Sequence, residues 1–188
     1  MIEVNKKDRK DMQESNLNII YKDIYTDIYN EAKLFLNFNS TDIMRLKRVH
    51  PTIKPLLPRI VDAVLERIRT NPKLSNLMKD HSLPIETARS VFIDWLNIIF
   101  TSDYDISFVQ YAYDIGSVHE KVGIKAKYVT MAMAIFVLAI DFVLNKMVAE
   151  RELIYSISHS IKKAMFLNLT LMLQSYEDAK RNTIIRNL

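Results

Sequence analysis

The 188-residue chain contains no cysteine, only two glycines, five prolines and a single tryptophan. Without thiols there can be no disulfide, thiolate metal site, iron–sulfur cluster or cysteine nucleophile, which agrees with a reducing compartment; the expected location is the cytoplasm. So few glycines and prolines leave few turn signals, and helices must dominate. No apolar run follows the charged start Met1–Lys10, so no signal peptide is expected. The longest apolar stretch, Met131–Ile140, stops at Asp141 and is too short to span a bilayer; it is expected to be a buried helix. Charge of one sign is also scarce: 26 basic against 22 acidic residues give +4. The basic excess, mostly in 40–82 and after 125, is interleaved with acids and indicates a solvated surface rather than a nucleic-acid footprint. What remains is a 49% hydrophobic composition with a mean hydropathy of −0.03, that of one globular domain with an extension.

Hydrophobic spacing divides the chain into helices. Ile20, Ile24, Ile28 and Ala32 recur every fourth residue and predict an amphipathic helix ending near Phe38, with Tyr21, Tyr25 and Tyr29 as a second stripe that straps the helix across a core or forms a seam. A short helix over 41–49 should end at His50-Pro51. The next should be regular from about 57 to Asn71-Pro72, with Ile60 or Val61, Val64, Leu65 and Ile68 inward. A short segment over 73–80 precedes a helix from Leu83-Pro84 to about Ser102, with Ala88, Val91, Phe92, Trp95, Ile98 and Ile99 inward. His50 and His81 fall at helix ends, exposed, with a carbonyl as the candidate partner. The helix over 126–149 is apolar nearly all round and needs cover on several sides. A last helix over 151–186 presents two apolar faces, one for the core and one most simply for a second copy of itself.

Residues 115–124, Ile-Gly-Ser-Val-His-Glu-Lys-Val-Gly-Ile, hold both glycines, Gly116 and Gly123, three before and four after His119. Glycine inside a helix costs about 1 kcal/mol relative to alanine, so the pair needs a reason. A planar group pressed against the helix is one; close packing of another helix is the other.

This segment, with Tyr128 after it, resembles the globin domain of globin-coupled sensors, the sensor-globin and protoglobin branch of the globins. Ile60-Val61-Asp62-Ala63, the Trp95-Leu96 to Phe100 run with Ser102-Asp103-Tyr104-Asp105, and Ser175-Tyr176 extend the likeness over most of 40–178. The resemblance implies an all-α, globin-like fold with an extra N-terminal helix and a long C-terminal helix. It divides the chain into an N-terminal helical extension (1–39), a haem domain (40–178) and the end of the last helix or a linker (179–188). It also implies haem b, iron protoporphyrin IX, with His119 as proximal iron ligand. The ring should be oriented by a hydrogen bond to a carbonyl one turn earlier. Gly116, Val118, Val122, Gly123, Ile124, Tyr128 and Ala132 would line the proximal side, the glycines giving room to the macrocycle. Val61, Val64, Leu65, Ile68, Val91, Phe92 and Trp95 would form the distal pocket, with Met78 a weak candidate sixth ligand.

The distal side departs from the family. Where many members carry a tyrosine donor, this chain has Leu65, and Val129 stands ten residues after His119 where a second tyrosine is common, with Tyr128 adjacent. Bound dioxygen needs distal donors more than carbon monoxide or nitric oxide does, so oxygen storage is not expected. The expected function is a sensor of a diatomic gas (O2, CO or NO) or of redox state, non-enzymatic, acting as a homodimer through its last two helices and on an output domain or partner protein, without nucleic acid or a membrane span. The alternative is a haem-free regulatory globin acting as an interaction scaffold. A haem enzyme would want distal acid–base groups, and none is evident.

Overall fold

A computed structural model describes residues 26–147 and 151–186, and all regular structure among them is helical. The helices are α1 (described over 26–35), α2 (Ser40–Ile53), α3 (Leu57–Thr70), α4 (Pro72–Asp80), α5 (Ile85–Thr101), α6 (Ile106–Lys121), α7 (Ala126–Met147) and α8 (Arg151–Arg186). A 3-10 turn, Lys54–Leu56, joins α2 to α3. Tyr21 and Tyr25, like Ile20 and Ile24, lie outside the described residues. Tyr29 is buried and its hydroxyl donates to the Tyr104 carbonyl, so α1 is strapped onto the body. Asn37, at positive φ, ends it: Phe38 N–H reaches Lys33 O and Asn37 N–H reaches Leu34 O.

Pro51 does not terminate α2, contrary to the sequence expectation; it lies inside the helix. Proline deletes one backbone hydrogen bond, but the turn around it buries Val49 and Ile53, which hold the helical path until the 3-10 turn. The N-terminus of α2 carries a capping box, Asn39 Oδ1 accepting from Thr41 N while Asn39 N donates to Asp42. Asp42 is buried, and its second role is tertiary: Ser160 Oγ donates to it at 2.7 Å and Lys163 Nζ at 3.2 Å, tying α2 to α8.

The remaining packing follows the inward stripes. α5 lies on α2 and α3, α3 on α7, and α6 and α7 both on α8. α7 buries Val129, Met133, Phe136, Ile140 and Leu144, every third or fourth residue. By length and composition it could cross a membrane. Its opposite face is not covered as the sequence suggested: Met131, Leu138 and Phe142 are about half exposed or more, and the buried residues of α7 form a single stripe.

Candidate functional site: a histidine in the last turn of α6

Asp105 starts α6 by accepting hydrogen bonds from Ser107 N and Phe108 N. Phe108, Val109, Ala112 and Gly116 then form the stripe that packs on α8. A methyl group on Gly116 would overlap the Met172 carbonyl and Ser175 Oγ. This glycine therefore serves helix–helix approach, not room for a planar group. Gly123 has yet another role. It lies beyond the helix at φ +81°, its N–H bonding Glu120 O and the Ile124 N–H bonding His119 O, both at 2.9 Å. That is the Schellman stop of α6, and it needs glycine for its left-handed backbone, since the space beside it is open.

His119 sits one turn beyond Gly116. Its Nδ1 is 2.7 Å from Ile115 O, one turn earlier. A carbonyl only accepts, so Nδ1 carries the proton and Nε2 keeps its lone pair. Burial lowers the pKa below the ordinary histidine value and so favours the neutral ring, against the opposing pull of that hydrogen bond. Among the described residues no hydrogen bond engages Nε2, and no cluster of three or more His, Asp or Glu forms. An ion bound at His119 must therefore bring its other donors with it, as the iron of a porphyrin does.

The other expected site residues are spread over α3, α5, α6 and α7. α5 and α6 do not pack extensively on each other. Val91, expected inward, is instead 55% exposed, because the buried stripe of α5 runs through Ala88, Trp95, Leu96, Ile99 and Phe100; Val118 on α6 is 56% exposed. Phe92 is half-buried and meets Phe136 edge-on at 5.5 Å. Val61, Val64 and Leu65 are buried and Ile68 partly so, on the α3 face toward α5 and α7. Trp95 belongs to the core: it packs on Phe136 at 5.0 Å and donates its indole N–H to Asn168 Oδ1 at 3.1 Å. Met78 is partly buried against the core. Val122, Ile124, Tyr128 and Ala132 are all half-buried beyond or beside His119.

Three features escaped the sequence reading. Asn168 is fully buried with Nδ2 unpartnered, the one such side-chain atom among the described residues. α4 contributes Lys73, Leu74 and Leu77 to a pocket of about 130 Å³ that also contains Gly123, Ile124, Lys125, Lys127 and Tyr128. The turn after His119 is fastened from two sides, by His81 Nε2 against Val122 O at 3.0 Å and by the Tyr176 hydroxyl donating to Ile124 O at 2.9 Å. Polar residues in a helical pattern gave no signal for these contacts, apart from the carbonyl anticipated for a helix-end histidine.

A protoglobin sequence profile matches residues 27–182. No curated protein matches the chain significantly. Among solved structures it is similar to the globin domain of the Geobacter sulfurreducens globin-coupled sensor, with a TM-score of 0.73 at 22% identity over 78% of this chain and 96% of that one. It is also similar to the globin domain of E. coli DosC in its ferric and ferrous forms, with a TM-score of 0.62 at 12% identity over 81% of this chain and 97% of that one.

Proposed function

The chain belongs to the protoglobin family, and from that premise we propose that it is a haem-binding sensor of a diatomic gas or of redox state, with His119 as the proximal ligand. The observation that carries this reading is the His119 ring itself: oriented through Nδ1 by Ile115 O, so that Nε2 keeps its lone pair and has no hydrogen-bond partner among the described residues. Bound haem b would supply a redox-active iron able to take O2, CO or NO. Val91, Phe92 and Val118 would exclude water from its faces, and Val122, Ile124, Tyr128 and Ala132 would flank the histidine.

The chain's own residues offer a route for the signal. α6 is held along α8 by Gly116 against Met172 and by the Tyr113 hydroxyl donating to Asp178 at 3.1 Å, while Tyr176 holds the turn that follows. A shift of His119 therefore loads α8 directly. α8 has 36 residues and, at 1.5 Å each, is about 54 Å long. Tyr155 and Phe166 of α8 and Met131, Leu138 and Phe142 of α7 are exposed apolar side chains, and in this reading they are what a homodimer through the last two helices would cover. In this reading residues 40–178 are the sensing domain, and α8 passes the change to an output domain or a partner protein in the cytoplasm.

The haem-free scaffold is favoured by one observation, that Val61, Val64 and Leu65 are already tightly packed. Absorption spectra decide between the two. With haem supplied, the wild-type protein should show an intense Soret band that shifts on reduction and on carbon monoxide binding, and His119→Ala should lose or alter it. A wild-type protein that takes up no haem refutes the sensor.

A further inference from the structure

We propose that Lys73, Lys125 and Lys127 form a carboxylate-reading rim that holds the acidic edge of the cofactor; this rests on the haem reading above. The three lysines stand around the pocket whose other walls are Leu74 and Leu77 of α4 and Gly123, Ile124 and Tyr128 after α6. The pocket includes the turn that ends the helix of His119, where the Ile124 N–H is bonded to the His119 backbone carbonyl. No acidic side chain lines it. None of the three ammonium groups belongs to an ion pair among the described residues, whereas Lys47, Lys162 and Lys163 all do. Lys127 is held instead over the Tyr128 ring, Nζ 5.3 Å from its centroid, which keeps a cation at the pocket mouth.

An apolar pocket rimmed by three unpaired cations and no anion suits a ligand that is apolar in its body and doubly anionic at one edge. Protoporphyrin IX has that form, with two carboxylates on one side of a hydrophobic ring. At about 130 Å³ the pocket receives an edge of such a molecule rather than its whole. His119 and the rim then divide the work. The imidazole fixes the metal, and the lysines select the rotation of the ring in its plane by drawing the carboxylates toward the α4 side.

The full-length apoprotein would be titrated with ferric protoporphyrin IX and with its dimethyl ester, whose carboxylates are blocked, following the Soret band; the same would be done for the triple variant Lys73→Gln, Lys125→Gln, Lys127→Gln. Wild type should prefer the free acid by about tenfold, the scale of three solvent-exposed charge pairs acting together. The preference should shrink as salt is raised. The triple variant should lose the preference and keep its affinity for the ester, with an unchanged helical circular dichroism spectrum. An equal preference for the free acid in wild type and variant overturns the rim while leaving the haem reading intact. Failure of both proteins to bind either porphyrin refutes the haem reading, and the rim with it.

Discussion

Gly116→Ala tests the central packing claim, that α6 reaches α8 only because residue 116 has no side chain. In an exposed helix this substitution would stabilise the protein by about 0.5–1 kcal/mol. Here the new methyl meets the Met172 carbonyl and Ser175 Oγ. The hydroxyl can rotate away after giving up its bond to Met172 O, but the carbonyl belongs to the backbone of α8 and cannot move without the helix. Overpacking of this kind costs roughly 1–3 kcal/mol, so a net loss of about 1–2 kcal/mol is expected. For a chain of this size that corresponds to a melting temperature lower by about 2–8 °C. Urea unfolding of the apoprotein, read by circular dichroism, measures it without haem. Adding Ser175→Ala should recover only part of the loss, because the carbonyl overlap persists. A Gly116→Ala protein as stable as wild type, or more so, would refute the close approach and with it the direct loading of α8 by α6. Gly123→Ala separates the two glycines: its cost of roughly 1–2 kcal/mol comes from the left-handed backbone, and Ser175→Ala should not touch it.

The Asp42 clasp makes stability depend on acid. Burial would raise the Asp42 pKa, but hydrogen bonds from Ser160, the Asn39 N–H and Lys163 outweigh it and hold the carboxyl below its ordinary value of 3.8. A depressed folded pKa contributes stability that is present above the unfolded value and lost as pH falls through the folded one. Wild type should therefore lose this contribution in that acid range, while Asp42→Asn should be weaker at pH 7 and converge on wild type in acid; a constant gap at all pH values would contradict the linkage. Trp95→Phe leaves Asn168 Oδ1 buried without its donor, for a loss of about 1–3 kcal/mol in urea unfolding, and Asn168→Leu on top should be less than additive. Strict additivity would show the bond to be absent. Leu138→Glu, at a site 67% exposed on α7, should shift a dimer to monomer in sedimentation, whereas Leu34→Glu, on α1 and 83% exposed, should not. Equal effects of the two would argue against the α7–α8 seam.

Much of the architecture was legible because helical periodicity is a local signal. The bounds of α3, α5, α7 and α8 follow from runs of apolar residues between Asn71-Pro72, Leu83-Pro84 and the Ser102–Asp105 turn, and the resemblance around His119 pointed to the family that the profile match supports. The orientation of the His119 ring was legible for the same reason, since its partner lies four residues away on the same helix. Pro51 was misread because a proline stops a helix only when nothing else holds the turn, and the burial of Val49 and Ile53 is not local information.

The sequence by itself determined most of the helices, the position of His119 between the two glycines and the absence of metal-binding chemistry from thiols. Only the tertiary structure decided what the two glycines are for. Both appear identical in a chain of letters, yet Gly116 is set by the distance to a neighbouring helix backbone and Gly123 by the sign of its own φ. The same holds for Asn168, Asp42 and the lysines after His119: a polar side chain acquires its role from the burial and charge of residues far away in the chain, and those are properties of packing that no periodicity encodes.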